Sequence, residues 1–330
     1  MNPNGMKKIL TVTLSPAIDK STSVDVVMAD RKLRCDLPRY EPGGGGINVS
    51  RALKKLGYPS IALYPTGGST GKSLDRLLDA EGIDRIPIKI KDQVRVNLTV
   101  LERSSGQQYR FGFPGQKLTD RECKELIERI KQARPDFIVA SGSLPRGVDP
   151  DFYTKIIEIG RELGAKTILD TSGEALRNLS KERFFLLKVN LSEFRDLTGE
   201  AIGDDEELAV HAKRVVEEWG INYLVVSLGA GGAFACWSDG KIRVHSPPVP
   251  VRSKIGAGDS MVAGIVLKFA MGKGILDALS MGVAAGASAV MTEGTELCRR
   301  EDSLRLYRTI IKEMRTQMVP QETKFQNADG

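Results

Sequence analysis

The stretch KIGAGDSMVAG, Lys254 to Gly264, sets an acid in the first turn of a strongly apolar helix. Gly256, Ala257 and Gly258 are small, so backbone N–H groups at the positive end of the helix dipole stay open to an anion, with Asp259 directly behind them. The plainer reading is an aspartate that caps a helix. Two glycines flanking Ala257, then an acid with a helix behind it, favour an anion hole with a working carboxylate. A second stretch, EPGGGGINVSRAL from Glu41 to Leu53, runs four glycines into a helix. Glycines permit close backbone approach to a ligand. The alternative is a flexible loop, but such linkers rarely pass straight into an apolar helical repeat.

Three further stretches lie at strand ends. SGSLPRGV, from Ser141 to Val148, follows an apolar run, at the position where open α/β sheets bind ligands. In KVNLSE, Lys188 to Glu193, Asn190 and Glu193 fall three apart at a helix start. One could hold a phosphate and the other metal-bound water; the alternative is a capping box. SLGAGG, Ser227 to Gly232, is either a polyphosphate turn or an ordinary glycine turn. GGSTGKS, residues 67–73, resembles a P-loop, yet the place five before Gly71 is Thr66, where the motif needs glycine. It reads as a strand–turn–helix connection. No G-x-G-x-x-G is present either, since Phe234 stands where the third glycine would fall, and this disfavours a dinucleotide-binding Rossmann site.

These stretches need a frame. The chain has 330 residues, 41% hydrophobic and 6% aromatic, enough for one large α/β domain or two smaller ones. Apolar runs at 9–14, 60–64, 137–141, 167–170, 185–189 and 223–227 alternate with amphipathic helical patterns at 48–56, 120–133, 151–163, 192–197 and 206–219. That is the rhythm of βαβ units on a mostly parallel sheet. Shorter strands at 233–237 and 241–246 follow, then helices at 257–271, 274–291 and 302–314. Residues 21–40 and 94–113 break the alternation with β-type stretches and no helix, and read as an antiparallel flap beside a cleft. Residues 1–5 read as a leader before Met6, and 319–330 as a disordered tail.

The net charge of +6 suits an anionic substrate. Basic and acidic residues are interspersed, so nucleic acid is not expected as a partner. Two histidines, His211 and His245, are too scattered for a zinc site, and His211 is expected to be solvated. Cys35, Cys123, Cys236 and Cys298 form no C-x-x-C pair and read as free thiols of a reducing compartment. No apolar run approaches the roughly 20 residues of a membrane span. A cytoplasmic protein without membrane partners is expected.

Together the stretches resemble the ribokinase/PfkB family of sugar kinases over about residues 8–307, through the glycine run at 43–48 and the G-A-G-D of 256–259. The resemblance implies a ribokinase-like three-layer α/β/α core over residues 6–318, with lid segments at about 21–41 and 94–114. The phrases SGQQYRFGFPG, DTSGEAL and GAGDSMV are most similar to the branch that phosphorylates fructose 6-phosphate with ATP and Mg²⁺. The 1-phosphofructokinase and tagatose-6-phosphate kinase branches usually carry lysine inside the glycine run, which here reads GGGGIN. By this resemblance Asp259 is the base at the C1 hydroxyl, and the N–H groups of Gly256, Ala257 and Gly258 stabilise the transferring phosphoryl. Asp19, Gly44 and Asn48 hold sugar hydroxyls, Arg95 and Ser143 hold the 6-phosphate, and Lys32 reaches the neighbouring subunit's sugar phosphate. Lys188, Asn190, Ser227, Gly229 and Gly232 fall at ATP-binding positions, and Glu193 at that of the Mg²⁺-linked acid. Ser253, Ile255 and Gly294 fall where members bind K⁺ through backbone carbonyls, although Thr292, Glu293 and Glu296 depart from the pattern there. A homodimer through the lid is implied as well.

The chemistry is compatible with these roles, because phosphoryl transfer is catalysed mostly by positioning and electrostatics. The helix N-terminus is expected to lower the pKa of Asp259 and make it a weak base. A guanidinium at Arg95 suits a phosphate by forking onto two oxygens. A different sugar or nucleoside kinase of the same fold is the nearest alternative. A non-catalytic sugar-phosphate sensor would be expected to have lost Asp259 or a glycine before it, and both are present.

Overall fold

The computed structural model of the chain describes residues 5–179 and 183–318. The tail at 319–330 and nearly all of the leader lie outside the described residues. β1 (Ile9–Val12) opens the chain, and β2 (Ala17–Val24) and β3 (Arg39–Gly43) rise from it into a lid. α1 (Gly45–Lys55), β4 (Ile61–Thr66), α2 (Gly68–Ala80) and β5 (Asp84–Lys89) return to the core. β6 (Arg95–Glu102) and β7 (Gln108–Phe111) complete the lid. Four αβ steps follow: α3 (Asp120–Ala133), β8 (Phe137–Ser141), α4 (Phe152–Leu163), β9 (Lys166–Asp170), α5 (Gly173–Arg177), β10 (Leu186–Asn190), α6 (Leu191–Thr198), α7 (Asp205–Trp219) and β11 (Tyr223–Ser227). The hairpin of β12 (Ala233–Trp237) and β13 (Gly240–Val244) leads to α8 (Ala257–Ala270), α9 (Ile275–Val290) and α10 (Arg300–Met318).

Among the described residues the core sheet runs β13-β12-β11-β10-β9-β8-β1-β4-β5, parallel from β11 to β5 and antiparallel at the β12–β13 end. Its strands are apolar on both faces because helices cover both. Leu10, Ile138, Leu187 and Val226 face α3, α4, α6 and α7. Their neighbours Ile9, Phe137, Leu186 and Val225 face α1, α8, α9 and α10. This period of two divides one hydrophobic sequence into two cores, and each fully buried Leu or Ile contributes roughly 1.5–3 kcal/mol.

α8 and α9 pack backbone to backbone. A Cβ at Gly264 would meet the Met281 carbonyl oxygen at 2.5 Å, and one at Gly282 would meet Met261 O at 3.1 Å. That contact fixes the N-terminus of α8, where Asp259 sits.

The lid is a sheet of order β3-β2-β6-β7. Its outer pairs are antiparallel as expected, but the central pair, β2 with β6, is parallel. Both strands leave the same end of the core and run outward together, which forces that pairing. β5 was masked in the sequence by its charges and by Pro87; it is an edge strand, the one place in a sheet where a missing N–H is tolerated. α1 begins at Gly45, three residues earlier than its apolar pattern predicts, because glycines hide the helix start. Residues 67–73 are mostly helix: α2 starts at Gly68, and Lys72 is exposed on it. His211, expected to be solvated, is half-buried on α7 with its Nδ1 out of solvent. The cysteines are free, Cys236 and Cys298 buried and Cys35 exposed. No described helix is long and apolar enough to cross a membrane.

Candidate active site

The glycine run crosses beneath the lid. Gly44 caps α1 at φ 111°, a conformation that side chains rarely adopt, and a Cβ there would come within 2.7 Å of Thr13 Cγ2. A Cβ on Gly43 would strike the Asp19 carboxylate at 2.4 Å, and one on Gly45 the Ser141 hydroxyl at 2.2 Å. These glycines therefore serve close approach of the chain to itself and to Asp19. The result brings Asn48, in the first turn of α1, to the first turn of α8, where its Nδ2 donates to Asp259 Oδ2 at 3.0 Å.

Asp259 corrects the sequence expectation. Its pKa is raised to about 6, above the ordinary carboxylate range. Burial is the main cause and the charge of Asp170 the next; the Asn48 hydrogen bond and Lys188 act in the opposite sense. Desolvation beside a second acid outweighs the helix dipole.

Lys188, at the end of β10, is buried and pairs with Asp170, its register partner on β9, at 3.0 Å. Burial alone would strip its charge, but the attraction of Asp170, then of Glu193 and Asp259, holds its pKa up. Its ammonium also lies against the N-terminus of α8, since a Cβ on Gly258 would stand 3.1 Å from Nζ. Gly256 is the left-handed N-cap that opens α8, ahead of Ala257 and Gly258. Asp170 was not singled out in the sequence. Its signal was its place: an acid at the carboxyl end of a parallel strand.

Asn190 and Glu193 form the capping box that was the plainer reading: Glu193 N–H donates to Asn190 Oδ1 at 2.9 Å, and Asn190 N–H to Glu193 Oε2 at 2.7 Å. This leaves Glu193 Oε1 outside the box. Burial raises the pKa of Glu193. Ser227 ends β11 with its hydroxyl against the Val189 carbonyl. Gly229 opens a 3₁₀ turn, with open space where a side chain would be, and Gly232 closes it so tightly that a Cβ would meet Val244 O at 2.1 Å.

Between lid and core lies a cavity of about 290 Å³. Asp19, Arg95, Asn97 and Arg110 line it from the lid, and Ile255 and Gly294 from the core. Asn97 Nδ2 donates to Asp19 Oδ1 at 2.9 Å, yet burial still raises the pKa of Asp19. Arg95 donates to the carbonyls of Phe113 and Ser15 at 3.1 and 3.3 Å, while its buried Nε has no partner within the protein. Burial lowers its pKa, against the pull of Asp19. Arg110 is a second arginine on the same wall, itself exposed; SGQQYRFGFPG contained it, but only the structure sets it beside the cavity. Ser253 Oγ donates to Gly294 O at 3.1 Å and accepts from Ile255 N–H, so the three expected cation residues do meet. Lys32 and Ser143 are exposed and join no other site residue in this single chain.

The fold, with the glycine-opened N-terminus of α8 beside Asp259, is that of a ribokinase-like sugar kinase. Residues 12–302 match the profile of the pfkB family carbohydrate kinases, and the chain belongs to that family. It is 40% identical to the ATP-dependent 6-phosphofructokinase isozyme 2 of Mycobacterium tuberculosis, over 92% of this chain and 90% of that one. Phosphofructokinase-2 from Escherichia coli in complex with potassium superposes with a TM-score of 0.89 at 38% identity, over 92% of this chain and 99% of that one. Its complex with fructose-6-phosphate gives 0.87 at 36% identity over the same shares.

Proposed function

We propose that this chain transfers the γ-phosphoryl group of ATP to the C1 hydroxyl of fructose 6-phosphate. The observation that carries the acceptor is Arg95: a half-buried guanidinium whose buried Nε has no partner within the protein, lining a cavity that Arg110 and Asp19 also line. Buried donors without a partner disfavour an apolar occupant and favour an anion, and a fork suits phosphate. With the 6-phosphate on Arg95 and Arg110, the sugar ring runs toward Asp19, Gly44 and Asn48. Ser143 closes on the phosphate from the loop after β8, and Lys32 does so from a neighbouring lid.

Asp259 takes the proton of the C1 hydroxyl as the new P–O bond forms and the bond to the leaving ADP oxygen breaks. A carboxylate near pKa 6 is a better base at neutral pH than an ordinary aspartate. The N–H groups of Gly256, Ala257 and Gly258, with the Lys188 ammonium, meet the charge on the transferring group. ATP lies along Asn190, Ser227, Gly229 and Gly232.

Among the described residues no cluster of three or more His, Cys, Asp or Glu could hold a metal. Mg²⁺ would arrive on the nucleotide, and Glu193, whose Oε1 lies outside the capping box, is the acid that would face it. Mg²⁺ neutralises phosphate charge when bound. The carbonyls of Ser253 and Ile255, on the loop before α8, and of Gly294, on the loop between α9 and α10, would supply hard oxygens to a K⁺ ion.

The protein works as a cytoplasmic homodimer. Leu37, Tyr40, Phe111 and Phe113 are exposed on the lid, 94% in the case of Leu37, and an uncovered sheet edge invites pairing. Sedimentation at micromolar concentration should give twice the chain mass. ADP release with Mg-ATP against fructose 6-phosphate, tagatose 6-phosphate, fructose 1-phosphate, fructose and ribose tests the acceptor. Fructose 6-phosphate should lead in kcat/KM; a lead by fructose or ribose overturns the role of Arg95, and a lead by tagatose 6-phosphate reassigns the sugar.

A further inference from the structure

The reaction as proposed has no use for Arg51, yet its side chain, 2% exposed, is the most heavily bonded polar group near the site. Nε donates to both Glu81 oxygens, at 3.0 and 2.8 Å, and Nη2 to Glu81 Oε1 at 2.7 Å. Nη1 donates to the carbonyls of Pro42 and Thr295 at 3.0 and 3.2 Å, and to Asn48 Oδ1 at 3.3 Å. Glu41 Oε1 stands 3.8 Å from Nη2, and its Oε2 accepts from Thr295 N–H at 3.2 Å. One guanidinium thus joins α1, the C-cap of α2, the base of lid strand β3 and the loop that carries Gly294.

The bond to Asn48 has a directional consequence. A guanidinium only donates, so it captures the oxygen end of the amide and leaves the NH₂ end for the opposite side. On that side lies Asp259 Oδ2, at 3.0 Å. The reversed amide would set donor against donor at Arg51 and acceptor against acceptor at Asp259.

We propose that Arg51 is a positioning residue for the phosphoryl transfer: it holds the Asn48 amide in the sense that donates to Asp259, and ties that orientation to the base of the lid. The inference rests on the reading of Asp259 as the base. An ion pair of purely structural value would account for the fork onto Glu81, and would leave the chemistry of Asp259 untouched when weakened. Asp259 is faced by Asp170 and Lys188 from the core strands, Asp19 from the lid and Asn48 from α1, and of these only Asn48 touches Arg51.

The test is the pH dependence of kcat/KM for fructose 6-phosphate in the full chain, with thermal melting alongside, for Arg51→Lys, Asn48→Ala, the double variant and Asp259→Asn. Lysine keeps the charge and loses the fork. Loss of a hydrogen bond to the ionised form raises a carboxylate pKa. Arg51→Lys should therefore move the acidic limb upward by roughly half a pH unit or more, and should move it no further in the Asn48→Ala background. A lower melting point with an unmoved limb overturns the proposal, and so does a shift that persists without Asn48. If Arg51→Lys does not fold, Glu81→Gln frees the guanidinium from its outer partner; a smaller shift in the same direction supports the proposal, and an unmoved limb overturns it. An Asp259→Asn variant that keeps its activity and its limb overturns the base assignment and this inference together. An inactive Asp259→Asn beside an Arg51→Lys with an unmoved limb overturns this inference alone.

Discussion

The two sheets place the same functional groups in opposite physical settings. β1 and β8 are buried along their whole length, while β6 and β7 in the lid are half-buried or exposed over most of theirs. Carboxylates register the contrast. At Asp259 burial dominates and the pKa rises to about 6. In the lid, Asp36 is held below its ordinary value by the Ser23 hydroxyl and by Arg103, and Glu102 by the Ser105 hydroxyl and the Val27 N–H. At the floor of the site desolvation decides what a charge does. At Asp36 on the outer lid water screens the charge and hydrogen bonds use it to order loops, whereas Asp19 at the lid's root shares the upward shift that burial gives Asp259.

Asp259→Asn strikes that contrast hardest. It should reduce kcat by roughly 10²–10⁴-fold, the usual worth of a positioned base. The same variant should melt at a higher temperature at pH 8. The folded pKa lies above the unfolded one, so the ionised Asp259 destabilises the fold above about pH 6, and this effect fades as pH falls toward the ordinary aspartate value. A lower melting point at pH 8 would mean that Lys188 compensates the buried charge fully.

Arg95→Ala, at the seam between the sheets, should lower kcat/KM for phosphorylated sugars by about 1.5–3 kcal/mol, roughly 10–150-fold. Unphosphorylated sugars should be affected far less, and an equal loss for both would make Arg95 a structural part of the lid. In the unaltered enzyme, kcat/KM should fall about tenfold per pH unit below pH 6, as Asp259 takes up its proton. A limb near pH 4 would mean that burial does not raise Asp259.

The smallest effect belongs to Arg103, which pairs with Asp25 and Asp36 on the lid surface. Arg103→Ala should leave kcat unchanged and lower the melting point slightly, an effect that about 1 M salt removes. A loss of turnover there would extend the active machinery into the lid.

The core was legible because its strands are continuous apolar runs between amphipathic helices, and β8 to β12 lie within a residue of where the sequence set them. The lid was legible only as an interruption, since strands half open to water carry a diluted pattern. Asp259 and the glycines were visible because small residues and acids at element ends are chemically conspicuous, whereas Asn48 and Lys188 were found through the family resemblance. Asp170 offered only its place at a strand end and Arg110 nothing local: each acquires meaning from a neighbour across a strand pair or a cavity. The sign of the Asp259 shift was also out of reach, for the helix dipole is written in local sequence, whereas Asp170, the main opposing charge, arrives from another strand.

The parallel pairing of β2 with β6 has a consequence for assembly. The bond between Asp19 and Asn97 joins residues 78 apart, and β4, α2 and β5 of the core lie between them. Contacts of that span close late in folding, because the loop between must be ordered first. During synthesis, β2 emerges early and waits with an unpaired edge while the first βα units of the core condense around its root. Asp19 therefore gains its setting only after the core beneath has begun to form, and the lid is the segment in which amide exchange should be fastest in the finished enzyme.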